Sequence, residues 1–172
     1  MKLLIVGYGK MGRLVHHLAK EWDFEVVGRV DDDRDEWAPA DAAIDFSTAD
    51  ALLANFQRYV ELQVPLVIGT TGWNAHADAL RARAAAARLG VVAAANFSIG
   101  VNIFQLVAEQ AARLMRGQDQ YGAWIHEAHH ATKRDAPSGT ALLLRDALVQ
   151  AGFNRPIDMA STRAGTIPGT HT

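Results

Sequence analysis

The feature that most constrains the fold is the regular alternation of short apolar runs and helical stretches in the first half of the chain. Strands joined through helices pair in parallel, because a parallel connection has to cross over the sheet. The pattern therefore predicts an α/β domain with a parallel sheet covered by helices. The predicted strands are residues 2–6, 25–30, 42–46, 65–69 and 91–94, with helices at 12–22, 50–62 and 74–89.

The first predicted strand runs into a glycine-rich loop that opens the first helix. In this G-x-G-x-x-G pattern the first glycine permits a tight turn, the second lets backbone approach a pyrophosphate, and the third lets helix and strand pack closely. The helix N-terminus offers free N–H groups to phosphates. We expect a dinucleotide here, and a plain tight turn is the alternative. The loop residues are Gly7, Tyr8, Gly9, Lys10, Met11 and Gly12.

The helix that follows the loop carries an apolar stripe. Met11, Leu14, Val15 and Leu18 recur at the spacing of one helix face. We expect these four side chains to face the core.

An acid follows the second predicted strand. Asp31 is placed to accept hydrogen bonds from the adenosine ribose hydroxyls. The acidic run from Asp31 to Asp33 would repel a 2′-phosphate, although Arg29 and Arg34 could offset that repulsion. The expected cofactor is therefore NADH in preference, with NADPH not excluded. Asp33 and Asp35 are expected to lie in a solvated turn.

Small or polar residues follow the three remaining strands of this half. In an open α/β sheet, ligands bind beyond the carboxyl ends of the strands. Each segment alone is a generic loop, but their shared position predicts a pocket for the nicotinamide and its ribose. The residues are Phe46, Ser47, Gly69, Thr70, Thr71, Ala94, Ala95, Asn96 and Phe97.

Composition excludes several classes of protein. The chain has 172 residues and no cysteine, so disulfides, thiol catalysis and cysteine-ligated zinc are excluded. A formal net charge of -2 argues against a nucleic-acid partner. No apolar run approaches the roughly 20 residues of a membrane span. The apolar N-terminus lacks a small-residue cleavage site, so we expect a cytoplasmic protein without a membrane partner.

The pattern changes near residue 98, which predicts two domains, 1–98 and 99–172. In the second domain a mixed order of helices and strands predicts an α+β arrangement. Gly90 and Gly152 are placed to end helices. The predicted elements are helices at 101–115 and 138–150 and strands at 121–129 and 158–163, followed by a Gly/Pro/Thr-rich segment without a predicted strand.

Residues 127–141 combine two histidines, a lysine and a helix start. Strand alternation places His129 on the same face as Glu127 and turns His130 elsewhere. Histidine exchanges protons near neutral pH, and Lys133 can neutralise a carboxylate. The N–H groups of the helix start can bind a second carboxylate. That start is formed by Ser138, Gly139 and Thr140.

Metal binding is the alternative use of these side chains. Glu127, His129 and His130 are all possible ligands, but their spacing is not the helical His-Glu-x-x-His of zinc hydrolases. We expect no metal.

The segment from Glu127 to Ala141 resembles the signature of the 4-hydroxy-tetrahydrodipicolinate reductase family, also called dihydrodipicolinate reductases. The resemblance covers essentially the whole chain, and its blocks occur in the order of the family. These further blocks are residues 7–12, 44–47, 69–72, 94–102, 162–165 and 169–172.

The resemblance implies an oxidoreductase of lysine and diaminopimelate biosynthesis. Such an enzyme reduces 4-hydroxy-tetrahydrodipicolinate, or its dehydrated imine, to tetrahydrodipicolinate with NAD(P)H. By the same resemblance, His129 exchanges a proton with the substrate and Lys133 is its catalytic partner. The cyclic dicarboxylate substrate would be bound by His130, Lys133, Ser138, Gly139 and Thr140. The second domain would serve substrate binding and oligomerisation, and the full-length family form would be a homotetramer.

The chain departs from the family pattern in three places. Its glycine loop is one residue shorter than in many members. The turn after Asp31 lacks the arginine that some members place directly after the acid, which weakens the case for NADPH. Family chains continue past the Gly-x-His-Thr of residues 169–172, so we expect the second domain to be incomplete at its C-terminus.

Two other functions stay open at this point. One is a nicotinamide oxidoreductase of the aspartate or homoserine dehydrogenase type, against which the loop of Lys133 and the following helix start argue. The other is a nucleotide-sensing module without turnover.

Overall fold

A five-stranded parallel sheet organises the N-terminal half of the chain. The computed structural model describes residues 1–32 and 34–172, which divide into two units, Met1–Ala95 and Asn96–Thr172. The strands of the first unit are β1 (Lys2–Val6), β2 (Glu25–Val30), β3 (Ala42–Asp45), β4 (Leu66–Ile68) and β5 (Val91–Ala93), and they lie in the order β2-β1-β3-β4-β5. All four strand pairs are parallel. The predicted parallel α/β domain is confirmed.

Three helices connect these strands and cover the sheet. They are α1 (Lys10–Ala19), α2 (Ala49–Leu62) and α3 (Ala77–Ala86), with short 3-10 turns at Lys20–Trp22 and Asn74–His76. Leu52, Phe56 and Tyr59 of α2 are fully buried against the apolar strands. The chain leaves β1 toward β2 on one side, whereas β3 lies on the other side. The strand order therefore reverses between β1 and β3, and the carboxyl ends of these two strands flank a crevice of the kind where such sheets bind ligands.

The predicted core stripe of α1 is wrong in part. Met11 and Leu14 are 44% and 47% exposed, whereas Gly12 and Ala19 are buried. A Cβ on Gly12 would collide with the carbonyl of Gly7, so the helix approaches β1 too closely for a larger residue. The sheet-facing side of α1 therefore includes Gly12 and Ala19, while Val15 and Leu18 of the predicted stripe are half-buried.

Of the two glycines predicted to end helices, Gly152 does so and Gly90 does not. Gly152 follows a helix with a left-handed φ of +95°, which is the predicted role. Gly90 does not end α3, because the helix stops at Ala86 and Arg88 takes the left-handed conformation with φ +53°.

The second unit has a three-stranded mixed sheet and two helices. The helices are α4 (Ile99–Leu114) and α5 (Gly139–Gln150), and the strands are β6 (Ala123–His129), β7 (Ile157–Arg163) and β8 (Thr170–His171). Central β6 pairs in parallel with β7 and antiparallel with β8. Ile125 of β6 packs against Ala141 and Leu144 of α5. The predicted α+β arrangement is confirmed, whereas β8 lies where no strand was predicted.

Within the described parts of the chain, no helix has both the length and the apolar character needed to cross a membrane.

Candidate functional site

In the first unit, the ends of β1 and β3 form a groove of about 340 Å³. Gly7 turns the chain at the end of β1 with φ +85°, and a Cβ there would lie 2.5 Å from the backbone of Phe46 and Ser47. Only glycine permits this approach. The lining includes Gly7, Gly9, Asp31, Phe46 and Ser47, so residues predicted from three separate segments lie around one groove.

Asp31 is held beside the glycine loop. Its Oδ1 accepts a hydrogen bond from the backbone N–H of Tyr8 at 2.8 Å. The following turn is closed by Asp35, whose carboxylate accepts the N–H groups of Asp31 and Asp32 and whose pKa those bonds lower. Asp35 is thus a turn-bracing residue, while Asp33 lies outside the described residues. The charged side chains among the described residues that line the groove are Asp31, Asp32 and Arg58.

Arg34 and Arg29, the two arginines expected to offset the negative charge of the acidic run, each contact another residue. Arg34 pairs with Asp32 at 2.7 Å. Arg29 lies over the ring of Tyr8, with 5.5 Å between the guanidinium carbon and the ring centroid. Tyr8 itself shares a hydrogen bond with Nδ1 of His16.

A buried carboxylate, Asp45, organises the loops after β3 and β4. It accepts hydrogen bonds of 2.6 Å each from the hydroxyls of Ser47, Tyr59 and Thr70. Burial, and then the charge of Asp45, raise the pKa of Tyr59 far above its usual value, so the phenol stays a donor. The hydroxyl hydrogens of Ser47 and Thr70 point to Asp45 and are not available to a ligand.

The other residues predicted to bind the cofactor lie in the loops after β4 and β5 or in the first turn of α1. Thr71 is exposed, and the N–H of Ala94 extends β5 through a 3.1 Å bond to Ile68. Asn96 and Phe97 belong to the second unit, where Asn96 accepts the N–H of Ser98. Lys10 and Met11 are exposed in the first turn of α1, and Gly69 packs against the ring of Phe46.

In the second unit, β6 presents Glu127 and His129 on one face, as alternation predicted. Glu127 is 1% exposed and hydrogen bonds Nδ1 of His129, whose side chain is 13% exposed. A Cβ at Gly169 would lie 2.7 Å from Nε2 of His129, so the absence of a side chain at residue 169 makes room for the imidazole. His130 follows the strand and turns toward Thr132.

Lys133 lies in the loop after β6 and forms an ion pair with Asp135 at 2.8 Å. The hydrogen bond from Lys133 holds the pKa of Asp135 below its usual value. The side chain of Lys133 is 25% exposed and that of Asp135 is 56% exposed. The ammonium group of Lys133, predicted to bind a substrate carboxylate, therefore forms an ion pair with Asp135 of its own chain at a solvent-accessible position.

The N-terminus of α5 begins at the predicted place. Ser138 is the N-cap, and its Oγ accepts the N–H of Ala141 at 3.2 Å. The same Oγ lies 2.9 Å from Nε2 of His171. The Ser138 hydroxyl is thus used within the protein, while the N–H groups of Gly139 and Thr140 lie in the first turn, where helices leave them without an intrahelical partner.

Two residues at this site were missed by the sequence reasoning. Arg163 of β7 donates two hydrogen bonds to Glu127, at 2.7 and 3.0 Å. His171 of β8 lies with its ring centroid 5.1 Å from that of His129. Burial, and then the charge of His129, lower the pKa of His171, with a further contribution from Lys133. The only signal in the sequence was that both residues fall inside blocks of the family resemblance.

Possible metal ligands also meet here, but in a different set from the one considered from sequence. Side-chain atoms of Glu127, His129 and His171 lie within 4.8 Å of one another. Because the guanidinium of Arg163 occupies both oxygens of Glu127, a cation at this point would face a positive charge.

Comparisons with known proteins identify the family. The family model "Dihydrodipicolinate reductase, N-terminus" matches residues 1–97, and "Dihydrodipicolinate reductase, C-terminus" matches residues 100–172. The chain belongs to the dihydrodipicolinate reductase family. A 4-hydroxy-tetrahydrodipicolinate reductase of Christiangramia forsetii is 32% identical over all of this chain and 78% of its own length. One from Burkholderia vietnamiensis is 35% identical over all of this chain and 81% of its own length.

The fold of a dihydrodipicolinate reductase is also found among solved structures. The dipicolinate-bound enzyme of Paenisporosarcina sp. TG-14 superposes with a TM-score of 0.77 at 22% identity, covering 99% of this chain and 81% of that one. Membership of the dihydrodipicolinate reductase family supports the reductase interpretation over the dehydrogenase and nucleotide-sensing alternatives, and it makes the cofactor a nicotinamide nucleotide.

Proposed function

We propose that this chain reduces 4-hydroxy-tetrahydrodipicolinate, or its dehydrated imine, to tetrahydrodipicolinate, a step of lysine and diaminopimelate biosynthesis. The observation that carries the proposal is the cluster in the second unit. It combines His129, a proton-exchanging group, with Lys133, an anion-binding group, and with the N-terminus of α5. A small cyclic dicarboxylate matches these groups, because each carboxylate then meets a positive partner.

Each residue of the cluster has a specific part in this proposal. Nε2 of His129 exchanges the proton that accompanies reduction, and Lys133 neutralises one carboxylate of the substrate. His130 and the N–H groups of Gly139 and Thr140 bind the substrate, with the hydroxyl of Ser138 fixing the helix start rather than contacting it.

The groove of the first unit fits the nucleotide. The turn at Gly7 brings its backbone close to that of Phe46 and Ser47. Helix α1 begins directly after this turn, as pyrophosphate binding requires. Gly7, Gly9 and Lys10 would hold the pyrophosphate, and Asp31 would bind the adenosine ribose. When bound, the nicotinamide supplies the hydride.

NADH is the cofactor we propose in preference to NADPH. Asp31 and Asp32 line the groove and put negative charge beside the ribose position, which would repel a 2′-phosphate. The proposed assembly is the homotetramer of the family resemblance, and light scattering of the purified protein measures it. Neither nucleic acid nor membrane has a part in the proposal.

The test is a reductase assay on the purified chain. Addition of 4-hydroxy-tetrahydrodipicolinate should consume NADH, and His129→Gln should lower kcat by about 10²–10⁴-fold, the range for general acid–base groups. His76→Gln is the matched control, because His76 is an exposed histidine of the first unit and should leave kcat unchanged. No consumption of NADH or NADPH, or wild-type turnover by His129→Gln, would overturn the proposal.

A further inference from the structure

The buried carboxylate of Glu127 contacts the imidazole of His129 at Nδ1. Glu127 is 1% exposed in the middle of the sheet of the second unit. A buried charge is costly unless it is paired and hydrogen bonded. Both oxygens of Glu127 meet this requirement, since Oε1 accepts from Arg163 and Oε2 accepts from Arg163 and from His129.

The guanidinium of Arg163 is itself fixed in place. Besides its two bonds to Glu127, it donates to the backbone carbonyls of Thr162 and Asp135. These carbonyls belong to β7 and to the loop after β6. The guanidinium of Arg163 therefore joins β7 to the loop after β6 and holds its positive charge against the carboxylate of Glu127.

The ionisation of Glu127 follows from these contacts. Burial raises the pKa of Glu127, but hydrogen bonds led by those of Arg163 outweigh it and bring the pKa to about 2. Because the Arg163 guanidinium also donates to both of its oxygens, Glu127 is an ionised carboxylate at neutral pH. An ionised carboxylate only accepts hydrogen bonds, so Nδ1 of His129 must carry the hydrogen of their shared bond.

The groups around His129 agree with this assignment. Arg163 of β7 donates to the same oxygen of Glu127 that contacts the imidazole, and Lys133 of the loop is paired with Asp135. His171 of β8 has a pKa lowered by burial and by His129 itself, and its Nε2 is bonded to Ser138. Glu127 is thus the anion in direct contact with the His129 ring.

We propose that Glu127, fixed by Arg163, is the positioning residue of His129, which it holds with Nδ1 as donor so that Nε2 is the atom that exchanges the proton with substrate. This inference rests on the proposed function in taking His129 as the proton-exchanging group. The arrangement has the logic of a carboxylate that orients a catalytic histidine without itself taking up the proton.

The test replaces Glu127 with its uncharged isostere. In Glu127→Gln, kcat should fall by about 10²–10⁴-fold with KM changed less than about threefold, because proton exchange is impaired and binding is not. Nitrogen NMR of the full chain should show a shift of His129 toward the tautomer with hydrogen on Nε2. Glu109→Gln is the matched control, since it removes a glutamate that pairs with Arg113 on α4, and it should change neither quantity.

A second variant separates positioning from folding. Glu127→Gln leaves Arg163 buried without its partner, which alone can destabilise the sheet. The double variant Glu127→Gln, Arg163→Gln removes both charges, so it should regain thermal stability while kcat stays low. Recovery of kcat in the double variant, or an unchanged tautomer of His129 in the single variant, would overturn the positioning role. Absence of turnover in the wild type would instead refute the proposed function, and the NMR measurement would still decide the role of Glu127.

Discussion

At the scale of single residues, both units contain carboxylates that are held in place by backbone N–H groups, hydroxyls or arginine. Asp31 accepts the N–H of Tyr8, which keeps one oxygen beside the glycine loop. Asp45 and Glu127 are buried and fully bonded, so they organise neighbours instead of contacting ligands. The same side-chain chemistry is therefore proposed to bind cofactor at exposed Asp31, while it orients neighbouring groups at buried Asp45 and Glu127.

Asp31→Ala tests the ribose assignment. The variant should raise the Kd of NADH by about 10–100-fold, the loss expected for hydrogen bonds to a charged group. The Kd of NADPH should rise by less than about tenfold, because removal of a negative charge relieves repulsion of the 2′-phosphate. Fluorescence titration of both nucleotides measures this, with Asp41→Ala as control, since Asp41 caps the N–H of Lys2 at the opposite end of β1. Equal losses for the two nucleotides would contradict the assignment.

At the scale of elements, the loop between β6 and α5 has an internal ion pair at the proposed anion site. Lys133 and Asp135 are partly exposed, and an exposed pair of this kind is worth only about 0.2–1 kcal/mol. A substrate carboxylate can therefore replace Asp135 at small cost.

Asp135→Asn should lower the KM for the dicarboxylate by up to about fivefold, because about 1 kcal/mol of competition is removed. The kcat should stay within about twofold, since His129 and its partners are not altered. Steady-state kinetics with varied substrate measure both constants, and Asp146→Asn, which removes an aspartate paired with Arg145 on α5, is the control. A rise in KM would show that Asp135 supports the site.

The elements also show how far the sequence could predict this molecule. Strand–helix alternation, the turn at Gly7 and the N-cap at Ser138 are local patterns, and each was predicted and is present. The close packing predicted at Gly12 is present, but the apolar stripe of α1 did not predict that Met11 and Leu14 would be exposed. Strand β8 is only two residues long and is defined by its pairing with β6, so it has no periodicity of its own.

Tertiary structure also explains why Arg163 and His171 were missed. Arg163 and His171 meet Glu127 and His129 through strand pairing, with Arg163 in register with His129 and His171 in register with Glu127. Register between distant strands is a tertiary property, which a single sequence does not specify. The loop of Lys133 and His130 could be proposed as a site from sequence because its residues are adjacent along the chain.

At the scale of the whole molecule, stability at acid pH is tied to carboxylates whose pKa lies below the usual value. Glu127 is the buried case, with a pKa of about 2 against an ordinary value of 4.5. A group whose pKa is lowered by folding stabilises the folded state above its unfolded pKa, and that contribution disappears as the pH falls through the folded pKa. At about 1.4 kcal/mol per pH unit, the difference corresponds to about 3 kcal/mol.

The wild-type protein should therefore lose about 3 kcal/mol of unfolding free energy through Glu127 between about pH 5 and pH 2, in addition to the losses from other carboxylates. Glu127→Gln should show a smaller pH dependence over this window, because its side chain does not titrate, even though its stability at pH 7 is lower. Urea unfolding followed by circular dichroism at a series of pH values measures both slopes, with Glu109→Gln as the control that keeps the wild-type slope. Parallel slopes for wild type and Glu127→Gln would mean that the ion pair with Arg163 does not set the acid stability of the second unit.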